Sequence, residues 1–354
     1  MALQYTTEKQ VAIAAVRRAC ALTSSVFNKL VKSETLTKGD KSPVTIADYS
    51  AQAVVNTILG RAFPVDPIVG EEDAADLRQE GAENLRNRIV DLCNEALTAD
   101  LGLGDRAEWG LGPGQERTLD ELLDAIDRGN DQGGPVGRRW TLDPIDGTKG
   151  FLRGGQYAIC LALIVDGDVK LGVIGCPNLP VGDAESEDSQ RGGIFTAVKG
   201  QGAEQISISG AKSTPVMIPS MEPGMLNLLE SVEAAHADLA FNQQVSNSLG
   251  ITRPPTRMDS QAKYACLARG DGVVYLRMPI NALYQEKIWD HASGAVLVQE
   301  AGGVITDALG QPLNFGLGRT LGKNQGIVAA GKDVHGQVLA AVQRARSKAS
   351  EATQ

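Results

Sequence analysis

Apolar residues Val11, Ile13, Ala14, Val16, Cys20, Leu22, Val26, Phe27 and Leu30 recur with a helical period, and Thr6 or Thr7 stands where it can cap the helix. A polar stretch from Lys38 to Pro43 separates it from a second helix, predicted from near Ala47 to Ala62. Pro67-Ile68-Val69-Gly70 reads as a short buried strand that ends at Glu71-Glu72-Asp73. The region 74–139 reads as an elaboration. It holds a helical piece from Asn84 to Leu101, a Gly-rich loop from Gly102 to Gly114, a capping box at Thr118-Leu119-Asp120-Glu121 opening a helix to Asp127, and a segment from Gly129 to Gly137 expected to be mobile. Tyr157–Val165 and Lys170–Cys176 are apolar runs joined by Asp166-Gly167-Asp168, a hairpin signal. Gly193–Val198 and Gln205–Ser209 read as further strands.

Three prolines between Thr214 and Gly224 mark the expected junction of an N-terminal domain, 1–215, with a C-terminal one, 216–354. Helices are predicted beyond it at Ser260–Arg269, His291–Ala301 and Val334–Ala345, and strands at Gly272–Met278, Val304–Thr306 and Ile327–Ala330. The tail from Ser347 is polar and expected to fray. The order of elements implies an α/β (α+β) chain built as a layered sandwich of helices and sheets.

Composition narrows this picture. The 354 residues are 42% hydrophobic and 22% charged, which suits a soluble globular chain of one large or two medium domains. Aromatics make up only 4%, which favours mixed layers over an aromatic-rich β sandwich. A net charge of −9, with no cluster of Arg and Lys, argues against a nucleic-acid partner, while local cations can still serve a small anion. Five cysteines without CxxC spacing read as reduced, buried thiols rather than a disulfide framework or zinc site. With no secretory pattern at the start and no apolar run near ~20 residues, a cytoplasmic location without a membrane partner is expected.

The chemistry concentrates in Trp140-Thr141-Leu142-Asp143-Pro144-Ile145-Asp146-Gly147-Thr148. Carboxylates three apart on a turn can bridge hard cations, and the Gly-Thr that follows offers two N–H groups and a hydroxyl to a phosphate. A solvated Asp-Pro-Gly turn is the plainer reading of that stretch alone. Further acids stand at predicted element ends: Asp48, Glu71-Glu72 and Asp290 after Trp289. Acids at such ends can converge on one rim, and a pair of metal ions clamps the attacking and leaving oxygens of a phosphoryl transfer.

Gly70-Glu71-Glu72, Asp143-Pro144-Ile145-Asp146-Gly147-Thr148, and Trp289-Asp290 followed by Glu300-Ala301-Gly302-Gly303 together resemble the lithium-sensitive, Mg²⁺-dependent phosphomonoesterases, which include the inositol monophosphatases and fructose-1,6-bisphosphatases. The resemblance runs from about Thr7 to Ala341. Met258-Asp259-Ser260-Gln261-Ala262-Lys263-Tyr264 and Tyr284-Gln285-Glu286-Lys287-Ile288-Trp289-Asp290-His291, together with the insert before Trp140, are similar to the 3′(2′),5′-bisphosphate nucleotidase branch, especially its fungal type.

The resemblance implies a five-layer α-β-α-β-α sandwich and two to three Mg²⁺ ions. Glu71, Asp143 and the Ile145 carbonyl would hold the first metal, and Asp143, Asp146 and Asp290 the second. Asp48 would accept a hydrogen bond from the Thr148 hydroxyl, and the pair would orient and deprotonate a water. The Gly147 and Thr148 amides would hold the reacting phosphate; His236, Ser260, Lys263 and Arg277 would contact the nucleotide. His291 is expected to be structural, and Glu72 to stand behind the metal ligands or on the substrate side.

The implied substrates are adenosine 3′,5′-bisphosphate, cleaved to AMP and phosphate, and 3′-phosphoadenosine 5′-phosphosulfate. That activity would clear a by-product of sulfate assimilation, with inhibition by Li⁺ and Na⁺. A monomer is expected, by resemblance to the fungal branch. The alternatives are an inositol-phosphate phosphatase of the same fold, and a catalytically inactive relative that senses nucleotide or metal.

Overall fold

The computed structural model describes residues 4–32, 42–103, 106–182, 190–210, 212–220, 226–232, 238–279 and 284–352. Two sheets organise them. The larger has the order β1 (Ile68–Gly70), β2 (Arg138–Asp146), β3 (Ala158–Val165), β4 (Asp168–Pro180), β5 (Arg191–Val198), β6 (Ala203–Ser207), β7 (Ser213–Val216), so neighbours in the sheet are neighbours in the chain. Pairing is antiparallel from β2 onward, and β1 lies parallel to β2. A parallel pair needs a long crossover. Here the insert supplies it, with α3 (Glu83–Thr98) and α4 (Leu119–Asp127). The predicted capping box is formed at Thr118 and Glu121.

The smaller sheet has the order β11 (Gly303–Thr306), β12 (Ile327–Gly331), β10 (Val274–Arg277), β8 (Leu228–Glu230), β9 (Thr256–Arg257). Helices α1 (Thr6–Lys32) and α2 (Ser42–Ala62) cover one face of the larger sheet. Helices α7 (Ala262–Arg269) and α8 (Ala292–Glu300) lie between the two sheets, and α9 (Lys332–Ala352), with α6 (Leu239–Ser248) against it, closes the far side. This is the expected α-β-α-β-α order.

Strand β3 shows why its sequence is apolar throughout. Alternate residues Ile159, Leu161 and Leu163 enter the core under α1 and α2. Ala158, Cys160, Ala162 and Ile164 enter the core shared with α7 and α8. A strand buried on both faces reads as a continuous run rather than an alternation. Close approach of the middle layer depends on small residues: a Cβ on Gly294 would lie 2.1 Å from the Tyr264 ring.

Several expectations change. Asp143 and Asp146 lie within β2, not on a free turn. Asp143 pairs with Cys160 and Asp146 with Ala158, so three steps on β2 answer two on β3. That extra residue is a β-bulge at Pro144-Ile145, where proline has no N–H for the ladder. The helix predicted to Leu101 ends at Thr98. Segment 129–137, expected to be mobile, is tied to the sheet: Gly70 N donates to Gly129 O, Asp131 N to Ile68 O, and Arg139 reaches Gly134 O and Val136 O. Strands β7, β8 and β9 and helix α6 are short or weakly patterned in the sequence and are seen only in the structure. All five cysteines are buried and unpaired with one another. Among the described residues, no helix is long and apolar enough to cross a membrane.

Candidate active site

The ends of β1 and β2 and the segment before α8 converge on a cavity of about 310 Å³. From the larger sheet it is lined by Glu71, Asp143, Ile145, Asp146, Gly147 and Thr148, and from the other side by Ser260, Lys263, Arg277 and Asp290.

Each position has a local cause. Glu71 follows β1, and its N–H donates to Leu142 O at 3.2 Å, which sets it beside β2. Gln52 of α2 braces the next residue, accepting from Glu72 N at 3.1 Å and donating to the Glu72 carbonyl. The bulge turns Asp143 and Asp146 toward the same cavity. Gly147 then adopts φ +88°, and a Cβ there would sit 2.9 Å from Ser260 Cβ; only glycine meets both conditions. Thr148 begins α5 (Thr148–Leu152) and is exposed. On the opposite wall, Ser260 holds φ +67° in the turn entering α7.

The carboxylates crowd one another. Burial, then Glu71, Asp146 and Asp290, pushes the Asp143 carboxyl well above the ordinary range. Burial, then Glu72 and Glu71, does the same to Asp48. Asp290 is raised by burial and by Asp146 and Glu71, although Arg277 opposes them. Glu71 is raised by burial and shares a side-chain hydrogen bond with Asp143. Glu72 reaches about 7 through burial and its acidic neighbours. The Oδ1 atom of Asp143 is buried without a hydrogen-bond partner. Mutually repelling carboxylates around an unsatisfied oxygen match the donor set of a hard dication, so the residues fit Mg²⁺.

Among the described residues, the acidic and imidazole groups whose ligand atoms all lie within 4.8 Å of one another are a different set, Glu286, Asp290 and His291. There the cation is Arg277: its Nε lies 2.9 Å from Glu286 Oε1, and its Nη2 lies 2.8 Å from Glu286 Oε2 and 3.4 Å from Asp290 Oδ2. His291 is buried, with its ring nitrogens 3.0 Å from Glu286 Oε2 and 2.8 Å from Tyr264 Oη.

Lys263, expected at a helix start, is almost wholly buried. Its ammonium donates to Ser260 O at 2.8 Å and Met258 O at 3.0 Å, and lies 5.6 Å from the Tyr275 ring centroid. Burial lowers it to about 8. Asp48 does not line the cavity but stands behind it on α2, within electrostatic reach of Asp143. The Asp48–Thr148 hydrogen bond is not formed among the described residues: Thr148 is exposed and lines the cavity, whereas Asp48 is buried in the helical layer behind it. His236 lies outside the described residues.

The sequence reading missed four supports. Gln52 and Gln261 brace acidic segments, Glu286 fixes Arg277, and Arg319 donates to the carbonyls of Gly70, Gly129 and Asp131 while lying 4.7 Å from the Trp289 ring centroid.

A five-layer sandwich with this acidic cavity at the strand ends defines the class as phosphatases that work with metal ions. The Inositol monophosphatase family matches residues 4–347, and the chain belongs to it; members of that family are metal-dependent phosphatases. Among its relatives, the 3′(2′),5′-bisphosphate nucleotidase of Schizosaccharomyces pombe is 48% identical over 353 residues, covering 98% of each chain. The 3′(2′),5′-bisphosphate nucleotidase of Emericella nidulans is 47% identical, covering 97% of this chain and 99% of its own. The solved inositol monophosphatase from Zymomonas mobilis shares the fold, with a TM-score of 0.60 at 18% identity over 96% of this chain and 99% of that one.

Proposed function

We propose that this chain hydrolyses the 3′-phosphate of adenosine 3′,5′-bisphosphate to give AMP and phosphate, and accepts 3′-phosphoadenosine 5′-phosphosulfate. The observation that carries this reading is the pairing of an acidic wall with a buried cation, Lys263, and a partly buried one, Arg277, across one cavity. Inositol 1-phosphate has no second, distant phosphate for those cations to meet. The names of the relatives at 47–48% identity point the same way.

Glu71, Asp143 and the Ile145 carbonyl would hold one Mg²⁺, and Asp143, Asp146 and Asp290 a second. Bound there, the ions lower the pKa of the attacking water and offset the charge that develops on the phosphate and the leaving oxygen. The Thr148 hydroxyl, on the cavity wall, would orient that water, and Asp48, which stands behind the wall and is not bonded to Thr148 in this structure, would take its proton once the two are linked. The N–H groups of Gly147 and Thr148, at the start of α5, hold the phosphate oxygens. Water attacks phosphorus in line, the bond to the ribose 3′-oxygen breaks, and that oxygen leaves and gains a proton. Lys263 and Ser260 hold the 5′-phosphate, and Arg277 contacts the nucleotide; His236 is a further proposed contact. A monomer is proposed by resemblance to the fungal branch. We extend to this enzyme inhibition by Li⁺ and Na⁺ and a cytoplasmic location.

The test is Mg²⁺-dependent phosphate release from adenosine 3′,5′-bisphosphate, inositol 1-phosphate and fructose 1,6-bisphosphate, with Asp146→Ala as control. Preference for the nucleotide supports the reading. Preference for inositol phosphate overturns the substrate, and no release from any of them overturns the activity.

A further inference from the structure

Asp146 and Asp290 reach the cavity from different layers. Asp146 closes β2 of the larger sheet, and Asp290 leads into α8 of the middle layer. Two carboxylates meant to share one ion must keep their separation to a fraction of an ångström, and a site left without such support loosens.

One residue spans the gap. Gln261 is 2% exposed and follows the strained turn at Ser260. Its backbone N–H donates to Asp146 Oδ2. Its side-chain Nε2 donates to the carbonyl of Trp289, the residue immediately before Asp290, at 2.7 Å. Its Oε1 accepts from Ser293 Oγ at 2.8 Å and from Gly294 N at 3.2 Å, so the amide is clamped to the first turn of α8. One end of Gln261 therefore bears on Asp146 directly, and the other on the segment that carries Asp290.

We infer that Gln261 is a positioning residue that fixes Asp290 relative to Asp146 and thereby sets the affinity of the metal they share. A primary amide is the side chain that fits. Glutamate would set a carboxylate oxygen against the Trp289 carbonyl, and asparagine is one methylene too short to reach it. The inference rests on the metal role given above to Asp146 and Asp290.

The test uses the full chain without substrate and Mn²⁺ as probe, with free ion followed by its electron paramagnetic resonance signal. Gln261→Met keeps the volume and removes the side-chain bonds while leaving the backbone N–H on Asp146. It is expected to weaken one Mn²⁺ by roughly 10–100-fold and to raise half-saturating Mg²⁺ by a similar factor. KM for the nucleotide should move less than about threefold, because no nucleotide contact is removed. Asp290→Asn is the control for the underlying metal role. If that variant binds every Mn²⁺ as the wild type does, the metal assignment itself fails. If Asp290→Asn loses an ion and Gln261→Met does not, only the positioning role is overturned, even where Gln261→Met lowers Tm. Should Gln261→Met fail to fold, Ser293→Ala decides, since it removes a single donor to Oε1. Weaker Mn²⁺ binding supports the inference, and unchanged binding overturns it.

Discussion

Glu286 grips Arg277 with both carboxylate oxygens, Oε1 2.9 Å from Nε and Oε2 2.8 Å from Nη2. The chain of contacts continues through His291 Nε2, 3.0 Å from Glu286 Oε2, to Tyr264 Oη, 2.8 Å from His291 Nδ1. Burial pushes the Glu286 carboxyl up, but the Arg277 charge and the His291 contact outweigh it and hold it at about 2. A two-pronged pair fixes the direction of a guanidinium as well as its charge. Glu286→Gln keeps the shape and loses one acceptor. The expected result is a rise of about tenfold in KM for the nucleotide with kcat changed less, and a loss of about 1–3 kcal/mol in urea unfolding. A stability loss with KM unchanged would show that Glu286 supports the fold and not the nucleotide contact.

Lys263 gives a pH signature. Two of its three ammonium hydrogens go to the carbonyls of Met258 and Ser260, and the side chain lines the cavity. Burial brings its pKa down to about 8 in the free protein. The protonated form is the one that can pair with a 5′-phosphate, so the proposed pairing is full well below pH 8, half lost near pH 8 and fades above it. The expected profile of kcat/KM for adenosine 3′,5′-bisphosphate therefore falls above about pH 8, approaching tenfold per unit. Adenosine 3′-monophosphate, which lacks the 5′ group, should show no such limb, nor should Lys263→Gln with the bisphosphate. An identical limb for both substrates would remove the 5′-phosphate role from Lys263.

What the chain reveals by itself follows from distance along it. Asp143, Asp146, Gly147 and Thr148 are legible because the chemistry is local: a proline-containing bulge and a left-handed glycine sit within six residues. The apolar runs of β3 and β4 are legible because both faces are buried. Arg319 is not, because its partners Gly70, Gly129 and Asp131 lie far upstream and are backbone carbonyls, which carry no residue signature. Gln52 and Gln261 are hidden for the same reason, each reading as an ordinary helical amide until the fold brings up the Glu72 and Trp289 carbonyls. Lys263 resembles any helix cation in the sequence; its burial follows only from α7 lying between two sheets.

Gly147 is predicted to be irreplaceable for activity and only moderately important for stability. Alanine at φ +88° costs about 1–2 kcal/mol in backbone strain. Its Cβ would also press on Ser260, 2.9 Å away, and so on the turn that delivers Gln261 to Asp146. Gly147→Ala should remain folded by circular dichroism while kcat falls by roughly 100-fold or more, as expected when a catalytic group shifts by about an ångström. Near-wild-type kcat in a folded Gly147→Ala protein would show that the Gly147–Ser260 contact has slack.

The carboxylate cluster should cost the fold stability that it returns as function. Asp143 is 2% exposed, stands among Glu71, Asp146 and Asp290, and keeps one oxygen without a hydrogen-bond partner. Asparagine at this position removes the cost of burying or protonating that carboxyl among its acidic neighbours, and its amide N–H₂ can donate to them. In a chelator-containing buffer, Asp143→Asn is therefore expected to be more stable than the wild type by roughly 1–2 kcal/mol, read as a higher urea midpoint at unchanged slope. The same variant should lose nearly all phosphatase activity, because Asp143 is the proposed bridge between both ions. Added Mg²⁺ should raise the wild-type Tm by mass action, since the ions bind only the folded site, and should raise that of Asp143→Asn much less. A wild type indifferent to Mg²⁺, or an Asp143→Asn protein less stable than wild type in chelator, would mean that the crowded carboxylates are already relieved by shared protons. Repulsion among them would then not be what draws a cation into this cavity.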